Sequence, residues 1–149
     1  MHEPPYSGRF EAGAHLFAVR VYFEDTDAGG LVYHANYLRF MERARSDMMR
    51  LAGIDQRGTM ASGEGVYVVV EAGLRYKAPA RLDDDLVVVS RIGAVRGALC
   101  AVHQTVMRGL ETLVEADISV ALIGSNGRPR RQPRRWIETF ERMKRDGTY

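Results

Sequence analysis

Apolar and polar residues alternate along five segments of the chain, a pattern typical of half-buried β-strands. Turn signals at Gly97 and Gly109 separate the last three segments and predict antiparallel pairing. In the second and fifth segments the apolar residues that share one face are Val68, Val70, Ala72, Leu74 and Tyr76, and Val114, Ala116, Ile118, Val120 and Leu122. The five predicted strands cover residues 16–23, 66–77, 86–95, 98–108 and 112–123.

Two segments instead follow the helical period. Between residues 35 and 51 apolar side chains recur every three or four positions, and charged side chains occupy the other faces. Asn36 is a candidate N-cap of this helix, and Gly53 is well placed to end it. Residues 55–65 are predicted to form a loop. A shorter second helix is expected from Pro133 onward, with an apolar side formed by Trp136, Ile137, Phe140 and Met143.

The order β-α-β-β-β-β predicts an α+β fold, in which one long helix packs on one face of an antiparallel sheet. The chain has 149 residues, which fits one domain. We therefore expect a flexible N-terminal tail over residues 1–14 and a single domain over residues 15–149, which ends in the short helix.

Composition narrows the class of protein. A hydrophobic fraction of 46% with 27% charged residues is ordinary for a soluble globular protein. The net charge of +2 argues against a protein whose whole surface is devoted to binding nucleic acid. The chain lacks a signal-like start and a run of ~20 apolar residues, so we expect neither export nor membrane insertion. The single cysteine, Cys100, suits a cytoplasmic location.

The chemistry-bearing residues are concentrated between the first strand and the long helix. Three carboxylates (Glu24, Asp25 and Asp27) stand at the strand end, two glycines follow, and His34 precedes the helix. A helix start presents free backbone N–H groups and a partial positive charge, so it can hold a developing oxyanion. A carboxylate opposite it could attack a carbonyl or activate water. The segment thus contains both parts that acyl transfer to water requires.

This segment resembles the hotdog-fold thioesterases of the 4-hydroxybenzoyl-CoA type, and most closely their bacterial acyl-CoA thioesterase branch associated with the Tol-Pal system. The matching motifs are Glu24-Asp25-Thr26-Asp27-Ala28-Gly29-Gly30, Tyr33-His34-Ala35 and Glu42-Arg43-Ala44-Arg45. Two weaker matches come later, at Tyr76-Lys77-Ala78-Pro79-Ala80 and Asp83-Asp84-Asp85. The resemblance covers about residues 15–143 and implies a hotdog fold, with the sheet wrapped around the long helix.

The resemblance also implies roles for individual residues. Asp27 matches the nucleophile or general base of the family, and the backbone N–H of His34 matches the group that polarises the thioester carbonyl. The His34 side chain is a second catalytic candidate. Gly30 and Tyr33 are candidates for substrate binding. Arg128 and Arg130 belong to an arginine-rich stretch that suits the phosphates of coenzyme A.

The implied substrate is an acyl-CoA or an acyl-carrier protein, with coenzyme A as part of the substrate and no metal or cofactor. The resemblance further implies a homodimer, assembled into a homotetramer, with the site between subunits. A thiolate leaves readily, because a thiol has a pKa of about 8.5 or below. One carboxylate and a backbone oxyanion site therefore suffice for a thioester.

Two other functions compete with this interpretation. One is a non-catalytic hotdog module that binds acyl-CoA or scaffolds a partner. The other is a magnesium-dependent phosphotransferase that uses Asp25 and Asp27, which would need a doubly wound α/β chain. Four consecutive strands oppose that fold. Asp25-x-Asp27 also opens an EF-hand pattern, but Asn36 stands at position 12, where the pattern requires a glutamate.

Overall fold

A computed structural model describes residues 1–146 of the chain. Its strands are β1 (Arg9–Glu11), β2 (Ala14–Arg20), β3 (Val66–Tyr76), β4 (Asp85–Arg96), β5 (Leu99–Arg108) and β6 (Glu111–Ile123). Its α-helices are α1 (Asn36–Leu51), α2 (Gln56–Ala61) and α3 (Arg134–Asp146), and a short 3₁₀ turn covers Phe23–Asp25. The predicted long helix and the predicted strands are confirmed to within a few residues.

All six strands form one antiparallel sheet in the order β1-β2-β4-β5-β6-β3. The apolar face of α1 packs against this sheet, and Met41 and Ala44 are fully buried there. α3 covers the sheet beside the C-terminal half of α1, where Trp136 and Phe140 join Met48 in a second apolar cluster. The α+β class and the helix-on-sheet architecture are therefore confirmed. No helix within residues 1–146 has the length and apolar character needed to cross a bilayer.

Three short-range predictions are wrong. The tail predicted over residues 1–14 contains β1, which pairs with β2 in the register Arg9 to Leu16. The loop predicted over residues 55–65 contains α2, whose first turn is capped by the Asp55 side chain accepting a hydrogen bond from Gly58 N. The N-cap of α1 is Ala35 rather than Asn36. Elements of three to six residues carry too little periodicity to be recognised in sequence.

The predicted apolar face of β3 is also wrong in part. A β-bulge shifts the register with β6 between Val69 and Glu71 and leaves Val70 as the extra residue. Directly opposed residues on paired strands point to the same face of a sheet. The β3 residues opposite the buried face of β6 are therefore Tyr67, Val69, Ala72, Leu74 and Tyr76. Val68, opposite Ala121, points to the other face, and Val70 has no partner on β6.

β3 is one of the two outer strands of the sheet. It exposes four valines, namely Val66, Val68, Val69 and Val70. An apolar edge strand offers unpaired backbone groups to another strand, and proteins normally protect such an edge. This edge is thus a surface on which a second chain could pair.

A buried polar junction joins α1 to the sheet. Gln104 on β5 is fully buried, and its side-chain Nε2 donates to Met41 O at 3.0 Å and to Ser90 Oγ at 2.8 Å. Its Oε1 accepts a hydrogen bond from Arg45 Nη1 at 2.8 Å. Burial lowers the pKa of the Arg45 guanidinium, although the nearby Glu42 carboxylate raises it. Gln104 therefore holds a desolvated cation and the middle of α1 together.

We predict that Gln104→Ala lowers the free energy of unfolding by about 3 kcal/mol, because it leaves a buried guanidinium without its main acceptor. Urea unfolding monitored by circular dichroism measures this loss. Thr105→Ala, one residue along β5 and only partly buried, is the matched control. Equal stability of the two variants would show that the junction contributes nothing.

Candidate active site

The connection between β2 and α1 is fixed against the segment that precedes β4. Val32 N donates to Ala80 O at 2.9 Å, and Ala80 N donates to the Tyr37 hydroxyl at 2.9 Å. All three residues are buried, and burial is the main cause that raises the pKa of the Tyr37 phenol. Leu82 N adds a bond to Gly30 O at 3.1 Å. The loop that carries the candidate residues thus rests on a buried support.

Asp27 occupies a tight turn whose geometry explains the two glycines that follow. Its side-chain Oδ1 accepts hydrogen bonds from Gly29 N at 2.8 Å and Leu31 N at 3.2 Å. A Cβ at Gly29 would approach that oxygen to 3.3 Å, which is tight. Gly30 has φ +80°, in the region that favours glycine, and its N–H donates to Asp27 O at 3.1 Å. The two glycines therefore allow backbone N–H groups to hold the Asp27 carboxylate by hydrogen bonds.

The second oxygen of this carboxylate is free to react. Within residues 1–146, no donor bonds to Asp27 Oδ2 and no cation forms an ion pair with Asp27. The residue is exposed. An oriented carboxylate with one free oxygen and access to solvent is the arrangement that a nucleophile or general base requires.

The Asp25 carbonyl ties this acidic loop to the start of α1. It accepts hydrogen bonds from Tyr33 N at 3.0 Å and from Asn36 Nδ2 at 2.8 Å. The Asp25 carboxylate turns the other way and accepts Tyr22 N at 2.8 Å. Asp25 is thus a structural residue of the loop, and Asn36 stabilises the loop instead of capping its own helix.

The start of α1 presents free N–H donors. Among the described residues, none provides a hydrogen-bond acceptor for the backbone N–H of His34 or of Ala35. The N-cap residue is alanine, which has no side-chain acceptor to offer. These donors, together with the positive end of the helix dipole, can bind an oxyanion.

The His34 ring lies between two tyrosines. Its centroid is 4.5 Å from that of Tyr33 and 6.4 Å from that of Tyr76, and all three side chains are exposed. The Tyr76 hydroxyl donates to His34 O at 3.0 Å, which links the end of β3 to the helix start. The sequence placed Tyr76 only on a sheet face, although it opens the later motif that ends in Pro79-Ala80.

The structure separates the six predicted site residues into two groups. Asp27, Gly30, Tyr33 and His34 lie in the one loop. Arg128 and Arg130 lie beyond the other end of β6, where Pro129 bridges to Ile123. Residues 114 and 123 of β6 pair with the two ends of β3, so about 30 Å separates the ends of these strands. Arg130 Nη1 donates to Gly63 O and Glu64 O, both at 3.1 Å. Arg128 is exposed.

Neither a metal site nor a reactive cysteine stands out in the described part of the chain. No group of three or more His, Cys, Asp or Glu side chains in residues 1–146 is placed to hold a metal ion. Cys100 is buried, and burial raises the pKa of its thiol to about 12.

Known proteins share this fold and much of this sequence. The thioesterase superfamily matches residues 29–115. The acyl-CoA thioester hydrolase YbgC of Escherichia coli O6:H1 is 40% identical over 125 residues, which are 83% of this chain and 92% of that protein. The chain belongs to the thioesterase superfamily.

Solved structures agree with this family. A probable thioesterase from Bartonella henselae superposes with a TM-score of 0.75 at 40% identity, over 80% of this chain and 99% of the other. A mutant 4-hydroxybenzoyl-CoA thioesterase in complex with 4-hydroxybenzoyl-CoA gives a TM-score of 0.76 at 21% identity, over 86% and 99% of the chains. At that identity the second match shows the hotdog fold alone.

In this thioesterase the turn before β4, which supports the loop of Asp27, is fixed by an ion pair. The Asp84 carboxylate accepts Arg81 N at 2.8 Å and pairs with Arg108 Nη1 at 2.7 Å. Burial raises the pKa of Asp84, but these two hydrogen bonds and the nearby arginine charges lower it further, so the net shift is downward. Asp84 therefore stabilises the fold at pH values above the carboxyl pKa of the unfolded chain, and this contribution disappears as pH falls through the lower folded pKa.

We predict that Asp84→Asn lowers the Tm at pH 7 by roughly 3 °C, about 1 kcal/mol, because the pairing with Arg108 loses its charge. The difference from the wild type should shrink between pH 4 and pH 2.5, where the native carboxylate is also protonated. Scanning calorimetry at several pH values measures it. Asp83→Asn, at the exposed neighbouring position, is the control, and a difference that does not change with pH would contradict the assignment.

Proposed function

We propose that this thioesterase hydrolyses acyl-CoA with the Asp27 carboxylate as nucleophile or general base and with the start of α1 as the oxyanion site. Superfamily membership and the 40% identity to an acyl-CoA thioester hydrolase over most of both chains support thioester hydrolysis. The observation that carries the residue assignment is the tie between the acidic loop and a helix start with free N–H groups.

In the proposed reaction the thioester carbonyl oxygen accepts a hydrogen bond from His34 N–H. Asp27 Oδ2 either attacks the carbonyl carbon or removes a proton from the water that attacks it. The tetrahedral oxyanion is held at the helix start, and collapse breaks the C–S bond to release coenzyme A as thiolate. In the direct-attack route, water then hydrolyses the acyl-aspartyl anhydride to the free acid.

The remaining groups support this reaction without a cofactor. Gly29 N and Leu31 N hold Asp27 Oδ1, so the free oxygen keeps a fixed orientation. Gly30 allows the turn, and the rings of Tyr33 and His34 stand beside the helix start as walls for the substrate. We assign the His34 ring a positioning role, because its backbone N–H is the group at the helix start.

We predict that Asp27→Asn lowers kcat for acyl-CoA hydrolysis by at least about 1000-fold while the Tm changes by less than about 2 °C. Asparagine keeps the hydrogen-bond acceptor for Gly29 N but removes the reacting carboxylate. Release of free thiol from butanoyl-CoA and dodecanoyl-CoA measures the rate, with and without EDTA.

Glu24→Gln removes a carboxylate from the same loop and serves as the control that should retain activity. Turnover unchanged by Asp27→Asn would remove the residue assignment and favour a different catalytic group. Absence of turnover in the wild type, with acyl-CoA still bound, would favour the non-catalytic binding module. Hydrolysis that persists in EDTA would separate this reaction from the magnesium-dependent phosphotransferase alternative.

A homodimer would bring the two separated groups of predicted site residues together. Antiparallel pairing of two β3 edges about a two-fold axis places the Val66 end of one strand beside the Tyr76 end of the other. Arg128 and Arg130 lie near the Val66 end, and His34 lies at the Tyr76 end. We therefore propose that these arginines bind the phosphates of a coenzyme A molecule held at the partner's site. Further pairing of dimers into a homotetramer is part of the proposal.

We predict that Val70→Pro yields a folded monomer that has lost acyl-CoA hydrolysis. Val70 is the extra residue of the bulge, where proline is tolerated within an edge strand, yet the ring obstructs pairing with a second edge. Light scattering after size-exclusion chromatography measures the mass. Leu110→Lys removes a fully exposed apolar side chain from the β5–β6 turn and should leave the mass unchanged. An active monomer would contradict the shared site.

The same features bear on the acyl donor and on the cellular compartment of the enzyme. The exposed Arg128 and the adjoining arginines favour coenzyme A phosphates over the phosphopantetheine arm of a carrier protein, which has a single phosphate. A single buried thiol suits a reducing compartment, so we propose a cytoplasmic enzyme. Comparing an acyl-CoA with the same acyl group on a carrier protein decides between the two donors.

A further inference from the structure

One face of α1 leads away from the candidate active site. Leu38, Glu42, Arg45 and Met49 follow at intervals of four, three and four residues, so they lie along one stripe of the helix. His34 lies four residues before Leu38, at the helix start, and its backbone N–H has no acceptor among the described residues. The stripe therefore runs from the proposed oxyanion site toward the C-terminal half of α1.

Strand β3 runs beside this stripe in the opposite direction. At one end the Tyr76 hydroxyl bonds to His34 O. At the other end Val69 lines a cavity that Glu42, Arg45 and Met49 of the stripe also line. Between these ends the β3 residues on the same face are Ala72, which is exposed, and Leu74, which is half-buried. This face of α1 and strand β3 thus both lead from the active-site loop to the cavity, and we call this route the path.

The cavity has a volume of about 350 Å³ and lies between α1, the sheet and α3. Its walls are mainly apolar, with Met48, Ile92, Val102, Val120 and Phe140 among them. Arg45 lies on the polar side of the cavity, and its guanidinium donates hydrogen bonds to the side chains of Gln104 and Glu42. Burial raises the pKa of two groups on the wall, the Tyr67 phenol and the Cys100 thiol.

The path has the length of a fatty acyl chain. At 1.5 Å per helical residue, Glu42 lies about 12 Å and Met49 about 22 Å along α1 from His34. An extended hydrocarbon chain advances about 1.3 Å per carbon, given C–C bonds of about 1.5 Å. Roughly nine carbons would therefore reach the cavity, and roughly seventeen would reach its far wall.

We propose that this cavity binds the distal part of a medium-to-long acyl chain, which makes the enzyme selective for acyl groups of about ten to sixteen carbons. The inference rests on the proposed function, because it places the thioester carbonyl at the start of α1. Chains shorter than eight carbons leave the cavity empty and gain nothing from it. Each methylene that enters replaces water contact by apolar contact.

The test is a series of straight-chain acyl-CoA substrates from butanoyl to hexadecanoyl, followed by thiol release. We expect kcat/KM to rise at least 30-fold between octanoyl-CoA and tetradecanoyl-CoA. Met49→Trp fills the cavity and should lower kcat/KM for tetradecanoyl-CoA at least 10-fold, with less than a twofold effect on butanoyl-CoA. Leu51→Trp, which adds the same ring on an exposed position of α1, is the matched control.

Direct binding separates this inference from the proposed catalysis. Calorimetric titration with the thioethers S-butyl-CoA and S-dodecyl-CoA needs no turnover, and we expect the dodecyl compound to bind at least 30-fold more tightly. Hydrolysis with a flat chain-length profile, unchanged by Met49→Trp, would overturn the cavity assignment and leave the proposed function intact. Chain-length-dependent binding without hydrolysis would overturn the proposed function and leave the cavity assignment intact. If Met49→Trp fails to fold, Val102→Phe and the wild-type thioether pair decide.

Discussion

The carbonyl of Asp25 is the contact on which the candidate site depends. By accepting Tyr33 N–H and the Asn36 side-chain amide, it holds an acidic turn against a helix start where the N–H groups of His34 and Ala35 have no acceptor in residues 1–146. The negative turn and the positive helix end are thereby fixed before any substrate arrives. Electrostatic catalysis benefits from such preorganised charges, because no reorganisation is needed when charge develops.

Contacts progressively farther from the Asp25 carbonyl also stabilise the positions of the loop and the helix start. Tyr37 and Val32 lock the turn onto Ala80, and Asp84 with Arg108 fixes the segment that carries Ala80. Gln104 and Arg45 then attach the middle of α1 to the sheet, so the helix start cannot slide relative to the loop. Polar contacts inside an apolar core thus set the position of the helix, while the apolar contacts supply its burial.

Local features of the site could be predicted from sequence, and features set by distant contacts could not. The loop residues Asp27, Gly30, Tyr33 and His34 are close in sequence and stand together in space. The bulge at Val70 removes Val68 from the predicted apolar face, because the register with β6 sets the face of each paired β3 residue. The sequence suggests Arg128 and Arg130 for binding coenzyme A phosphates, but it does not reveal that the length of β6 places them at the opposite end of the sheet from the loop.

In the proposed reaction the start of α1 polarises a thioester carbonyl opposite Asp27. Isotope-edited infrared spectroscopy measures this polarisation, with dodecanoyl-CoA labelled with ¹³C at the carbonyl and bound to the Asp27→Asn protein. We expect the labelled carbonyl band at a lower frequency than in free acyl-CoA, because the helix N–H groups draw charge onto its oxygen. A bound carbonyl with the frequency of the free thioester in water, or higher, would show that the helix start does not polarise the thioester.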